Sequence, residues 1–516
     1  MRFSRSALWV VLAAALPSLA VAQRPQRMER PREESNDSGR AASAKKVEPT
    51  KSVTHHTITV DGKTFPYDAT AGTLILTDDD GNPTASMFYV AYTRTDVKDE
   101  STRPVTFLYN GGPGSASMWL HMGAFGPRRV VAPDAEHAPP PPYQIVDNAE
   151  TPLDVTDLVF VDAIGTGFSK IEGKATGKDF FGVDQDVHAF GQFIEQYLRI
   201  NGRWNSPRYL FGESYGTTRS AALANYLQSH YDMDLNGVML LSVVLNFQTL
   251  EPSAGNDLPY VLYLPSYAAV AWYHHALDNP PKSLEALVDT VRAFALGPYA
   301  HALEMGSALS DAARSQILDK LHEYTGLSRD YWDKANLRVD NGEFQKELMR
   351  DKGIAIGRLD ARYEGASGDL LAQRVFSDPQ SDAISSAYVT AFNTYVHQEL
   401  KYGVDQVYHP SGNVRPWDWA HGRNRFGAAY TNVAPDLAEA MEHNPHLQVL
   451  VNNGYYDFAT PFGATEYTMN HLDLPKDLQS HIHMKYYEAG HMVYVNDAAR
   501  AELKKNVAAF IEATSK

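Results

Sequence analysis

Ser214 lies in Gly212-Glu213-Ser214-Tyr215-Gly216, directly after the apolar run Tyr209-Leu210-Phe211 and before an alanine-rich helical stretch at residues 220–227. Strand, Gly-x-Ser-x-Gly and helix in succession form a nucleophile elbow, which lifts a serine hydroxyl to the tip of a sharp turn. Glycines on both sides remove the Cβ atoms that would clash there. The helix beginning at the turn aims backbone N–H groups and the positive end of its dipole at any oxyanion formed beside the serine.

A serine nucleophile needs a base, and the base needs an acid to orient it. Behind an elbow these follow in the order Asp or Glu, then His. Asp457 stands in Asn453-Gly454-Tyr455-Tyr456-Asp457 and His491 in Ala489-Gly490-His491-Met492, each just past an apolar run. A further glycine pair follows another apolar run, in Tyr109-Asn110-Gly111-Gly112-Pro113-Gly114-Ser115. Backbone N–H groups exposed there would complete an oxyanion hole with the N–H of Tyr215. No lysine follows to reach a phosphate, so the glycines do not read as a phosphate cradle.

These residues need a scaffold. Short continuous apolar runs at 105–109, 158–162, 208–211, 238–245, 447–451 and 483–487 predict strands buried on both faces, hence a mostly parallel sheet. The chemical residues all fall just past the C-terminal ends of these runs, where open α/β sheets bind ligands. Ahead of them, alternation at 56–60, 73–77 and 86–95 predicts further strands. Asp78-Asp79-Asp80-Gly81-Asn82-Pro83 reads as the hairpin turn between the last two, because its spacing does not fit a calcium loop. From about residue 250 to 417 strand runs give way to helical spacing, with apolar faces following caps at Ser283 and Ser310. The expected organisation is a core over 53–249, a mainly helical lid inserted over 250–417, and a second part of the core over 418–516.

Arg2 and Arg5, an apolar run over residues 7–16 and the small-x-small site Ala20-Val21-Ala22 predict a secretory signal peptide at 1–22. The run is too short to span a bilayer. Residues 23–52, rich in Arg, Glu, Ser and Pro, predict a flexible linker. The expected mature protein is exported, to the periplasm or outside the cell, without stable membrane insertion. A net charge of −16 argues against nucleic acid as a partner. The chain has no cysteine, which excludes disulfides, thiol catalysis and cysteine-ligated metal. Its nineteen histidines include the pairs His55-His56 and His274-His275 but no His-Glu-x-x-His, so neither metal nor other cofactor is expected.

Taken together, Asn-Gly-Gly-Pro-Gly at 110–114, Gly-Thr-Gly-Phe-Ser at 165–169, Gly-Glu-Ser-Tyr-Gly at 212–216, Asn-Gly-Tyr-Tyr-Asp at 453–457 and Ala-Gly-His-Met at 489–492 resemble the serine carboxypeptidase family. The resemblance runs from about residue 55 to the end. It implies an α/β-hydrolase fold, a mostly parallel central sheet carrying the helical lid, and removal of single residues from peptide C-termini. It also implies Ser214 as nucleophile, His491 as base and Asp457 as its orienter. Gly112 and Tyr215 would supply the oxyanion N–H groups, and Asn110, Gly111 and Glu213 would hold the terminal carboxylate of a peptide substrate. Two positions depart from the family pattern. Ser115 stands where many members have cysteine, and Ala124 where an acidic residue would join the carboxylate network.

An acid at Glu213 beside a substrate carboxylate looks repulsive. Two charges about 4 Å apart at an effective dielectric near ~20 repel by roughly 4 kcal/mol, or about three pKa units. Protonation of Glu213 on substrate binding would turn that repulsion into a donated hydrogen bond. The same triad would equally serve an esterase or an acyltransferase, which would accept substrates blocked at the C-terminus.

Overall fold

The computed structural model describes residues 47–422 and 430–515. The expected signal peptide, and the linker up to residue 46, lie outside the described residues. Nine strands form the spine of one sheet: β1 Lys51–Val60, β2 Lys63–Thr77, β3 Pro83–Arg94, β4 Val105–Tyr109, β5 Asp157–Val161, β6 Arg208–Glu213, β7 Gly237–Leu241, β8 Gln448–Gly454 and β9 Ile482–Tyr487. Their order is β1-β2-β3-β5-β4-β6-β7-β8-β9, and the short Lys170–Ile171 strand pairs β3 off this path. The first three form an antiparallel meander, and β5 joins β3 antiparallel. From β5 through β4, β6, β7 and β8 to β9 every pairing is parallel.

Why the core strands read as continuous apolar runs is visible in their packing. Phe107, Leu210, Leu240 and Val449 enter one buried cluster, while their neighbours Leu108, Phe211, Leu241 and Leu450 enter another. Successive side chains point to opposite faces, so both faces must be covered. Helices Val183–Ile200, Tyr215–Tyr231 and Ala434–His443 cover the first face; Pro379–Gln398 and Asp497–Thr514 cover the second.

Four local expectations change. Lys51 pairs with Gly72, so β1 begins two residues inside the segment read as linker. The run at 238–245 stops being strand at Leu241, because Ser242 takes a φ of 55°. The strand expected to end near Val451 continues through Asn452, Asn453 and Gly454, whose backbones pair with β9 although their side chains are not apolar. A small hairpin, Ile354–Ile356 with Glu364–Ala366, lies where only helical spacing was legible, being too short for a periodic signal. The acidic turn is a hairpin turn, with the Asp78 carboxylate accepting from the backbone N–H groups of Asp80 and Asn82 at 3.1 and 2.8 Å.

Between residues 250 and 417 the chain builds a third apolar cluster around helix Leu258–Tyr273. Ser283 and Ser310 cap helices Leu284–Phe294 and Asp311–Thr325 through the N–H groups of Ala286 and Ala313. Tyr456, Phe458 and Phe462 also enter this cluster, which ties the Asp457 loop to these helices. Among the described residues no helix is long and apolar enough to cross a membrane.

Candidate active site

Ser214 follows β6 with φ 61° and ψ −130° and opens helix Tyr215–Tyr231. A side chain in that left-handed region is strained and persists because the surroundings fix it. Here Ser214 N–H donates to Leu241 O at 3.0 Å and Ser214 O accepts from Thr217 N–H at 2.8 Å. The turn closes only because Gly212 and Gly216 lack side chains: a Cβ on Gly212 would lie 2.1 Å from Gly216 O.

Asp457 and His491 come together past β8 and β9. His491 Nδ1 lies 2.8 Å from Asp457 Oδ2, and both residues are buried. A carboxylate facing Nδ1 fixes the proton there and leaves Nε2 as the acceptor. Asp457 is itself held: Oδ1 accepts from the N–H groups of Ala459 and Thr460 at 2.7 and 3.0 Å, and Oδ2 from the Thr460 hydroxyl at 2.6 Å. Burial alone would lower the His491 pKa. The charge and hydrogen bond of Asp457, with Glu213 behind them, outweigh it and hold the imidazole above its ordinary value.

Ser214 and His491 line one cavity of about 470 Å³ with Asn110, Gly111, Gly112 and Glu213. No hydrogen bond joins the serine hydroxyl to the imidazole among the described residues, and such contacts commonly tighten only with substrate. A larger cavity, about 720 Å³, is lined by Arg208, Asn236 and Gln448. Those residues sit at the opposite ends of the parallel strands, away from the nucleophile.

The glycine loop lies against the elbow. A Cβ on Gly111 would be 2.5 Å from the backbone nitrogens of both Tyr215 and Gly216. Neither the Gly112 nor the Tyr215 N–H has a protein acceptor among the described residues, so both remain available to an oxyanion. The Asn110 amide is oriented by Leu120 N–H donating to its Oδ1 at 3.0 Å. Its carbonyl accepts from Arg219, whose guanidinium pairs with buried Asp186 at 2.7 Å.

Glu213 is buried beneath this loop and accepts a 2.9 Å hydrogen bond from the Tyr494 hydroxyl. Burial raises its pKa to about 7; His491, Tyr494 and Asn110 pull it down, and Asp457 pushes it up. Substrate repulsion was the cause anticipated from sequence, but desolvation raises this acid before any carboxylate arrives. Ala124 is fully buried in the apolar core, and its carbonyl accepts from Asn148 Nδ2 at 2.8 Å. Ser115 Oγ accepts from Trp119 Nε1 at 3.1 Å. The Gly-Thr-Gly-Phe-Ser stretch is a brace: Ser169 Oγ accepts from Phe88 N–H and donates to Asp162 O, each at 2.8 Å.

Sequence reasoning missed Thr460, Tyr494, Arg219 and Arg358. The first two stand three residues after Asp457 and His491, so a search of the flanking turns for hydroxyls would have found them. Arg358 lines the cavity from a segment 133 residues before His491, and no local signal marks it.

The serine carboxypeptidase family model matches residues 69–506. Over 160 residues the chain is 29% identical to the pheromone-processing carboxypeptidase KEX1 of Saccharomyces cerevisiae (strain JAY291), which is 30% of this chain and 20% of that protein. The KEX1 of Yarrowia lipolytica is 28% identical over 191 residues, 36% of this chain and 28% of its own length. The matched stretch therefore spans well under a third of either relative. The crystal structure of KEX1(delta)p, a prohormone-processing carboxypeptidase from Saccharomyces cerevisiae, matches with a TM-score of 0.50 at 16% identity, covering 89% of this chain and 92% of that one. At that identity the likeness is one of fold, the α/β-hydrolase fold with its mostly parallel sheet. With elbow, histidine loop and glycine loop all inside a match that covers most of its length, the chain belongs to the serine carboxypeptidase family.

Proposed function

We propose that the protein is an exported serine carboxypeptidase that releases C-terminal residues from peptides through an acyl-enzyme on Ser214. The observation that carries this reading is that Ser214 and His491 line one cavity with Glu213, Asn110 and Gly111. Asp457 and His491 stand 2.8 Å apart, and Ser214 is flanked by Glu213, an acid whose pKa lies near neutrality at about 7. Ser214 Oγ attacks the scissile carbonyl and gives its proton to His491 Nε2. The oxyanion takes hydrogen bonds from the Gly112 and Tyr215 N–H groups. His491 then protonates the departing amine, and water, deprotonated by the same imidazole, hydrolyses the acyl-enzyme. Asn110, Gly111 and protonated Glu213 receive the terminal carboxylate, placing the last peptide bond over Ser214. Export rests on the amino-terminal 22 residues, which have the form of a signal peptide.

The test compares an N-blocked dipeptide with its C-terminal amide from pH 4 to 9, using the protein and its Ser214→Ala variant. The expected result is amino-acid release mainly from the free acid, with Ser214→Ala reducing kcat by about 10⁴-fold or more. Equal or faster turnover of the amide would replace this reading with an esterase or acyltransferase.

A further inference from the structure

The active-site cavity has a second polar wall opposite in character to Glu213. Arg358, an exposed residue, lines it, and its guanidinium enters no ion pair or hydrogen bond among the described residues. Its backbone, by contrast, is fixed. Arg358 N–H donates to Asp378 Oδ2 at 2.6 Å, and Arg358 O accepts from Phe458 N–H at 3.0 Å, one residue from the triad acid. The nearby Asp378 carboxylate is occupied by backbone: it also accepts from the N–H groups of Leu359 and Ser381, each at 3.0 Å.

Gln380 lines the same cavity and is fully buried, yet neither its amide oxygen nor its amide nitrogen has a partner. Buried polar atoms left unsatisfied cost stability and call for an explanation, such as a ligand that completes them. Gln380 sits in the first turn of helix Pro379–Gln398, whose N-terminus favours negative charge. The free guanidinium and the unpartnered Gln380 amide N–H at a helix N-terminus fit a carboxylate, while the unpartnered Gln380 Oε1 would accept from an N–H of the same peptide.

From this geometry we infer that Arg358 and Gln380 form a specificity pocket for an acidic side chain of the substrate, Asp or Glu, next to the scissile bond. The inference rests on the carboxypeptidase reading, in which Asn110, Gly111 and Glu213 already receive the terminal carboxylate. Arg358 is then left for a second carboxylate on the same peptide.

The experiment measures kcat/KM for N-blocked dipeptides in which each position in turn is Glu, Gln, Ala or Lys. The proteins compared are the unmodified chain, Arg358→Gln and Arg358→Glu. Glu should exceed its isostere Gln by about tenfold or more at one position, as expected for a charge-assisted pair. Arg358→Gln should abolish that preference while leaving the Ala substrates within about twofold, and Arg358→Glu should shift it towards Lys. No Glu over Gln preference in the unmodified protein overturns the inference, as does a preference that survives both substitutions. If Arg358→Gln instead weakens every free acid equally, Arg358 serves the terminal carboxylate and the side-chain pocket is refuted. Binding of the Glu and Gln dipeptides to Ser214→Ala, by calorimetry, reads the same preference without turnover. A failure of the hydrolysis reading is thereby distinguished from a failure of this one.

Discussion

Glu213 and His491 pull the pH dependence in opposite directions. On the proposed mechanism His491 must be neutral to accept the Ser214 proton, and its pKa is held above the ordinary value, so kcat should fall as pH falls through it. Glu213 must be protonated to donate to a carboxylate, and its pKa lies at about 7. Above that pH it ionises and repels the substrate, so KM should rise on the alkaline side. Glu213→Gln keeps a donor at the position without a titrating proton. Its KM should stay flat from pH 6 to 9 while the acid limb of kcat, set by His491, persists. An unchanged alkaline rise of KM in the variant would remove Glu213 from the carboxylate site.

At the scale of elements, the Asp457 and His491 loops are aligned by a segment between β7 and β8 rather than by strand ends alone. Residues 357–361 touch both loops: His491 N–H donates to Leu359 O at 2.6 Å, Phe458 N–H to Arg358 O and Ala361 N–H to Tyr456 O at 3.0 Å. Asp360 within it is fully buried and paired with Arg362 at 2.7 Å, which also reaches Asp134 at 2.8 Å. Gly490 packs directly on it; an added Cβ would lie 2.4 Å from Asp360 Cβ and Cγ. A charge locked into that buried network cannot step aside cheaply. Gly490→Ala should therefore displace His491 and lower kcat/KM by about 10²-fold. The overpacking itself should cost only about 1–3 kcal/mol, so the variant should still melt cooperatively. Full activity in a folded variant would show that the histidine loop tolerates the shift.

Stability of the whole molecule should carry a titration of its own. His421 bridges two helices, with Nδ1 2.6 Å from Asp184 and Nε2 2.8 Å from Asp436. Burial lowers its pKa, but the two hydrogen bonds and charges outweigh burial and raise it from 6.5 to about 9. A base whose folded pKa is raised contributes stability that is complete below the unfolded value of 6.5 and lost as pH rises through about 9. The shift corresponds to at most ~3 kcal/mol, and about 2 kcal/mol after discounting for partial solvent screening. His421→Asn should melt about 2 °C lower than the unmodified chain at pH 6 and nearly together with it at pH 10. A gap of equal size at both pH values would assign the loss to packing rather than charge.

Local chemistry alone determined much of this protein. A sharp turn needs Gly-x-Ser-x-Gly, strands buried on both faces need continuous apolar runs, and caps need hydroxyls at Ser283 and Ser310. Each such requirement is met by residues adjacent in the chain, so sheet, elbow, the strand-end places of Ser214, Asp457 and His491, and the helices after residue 250 were legible. Strand ends were not, because Ser242 breaks β7 by a backbone angle and the two asparagines extend β8 through backbone pairing. Side-chain hydrophobicity reports neither. The state of Glu213 was decided by tertiary burial under the glycine loop, and the alignment of the histidine loop by Asp360, 130 positions earlier in the chain. Desolvation and long-range contact depend on what folds over a residue, and that information is spread along the whole chain rather than held in any motif.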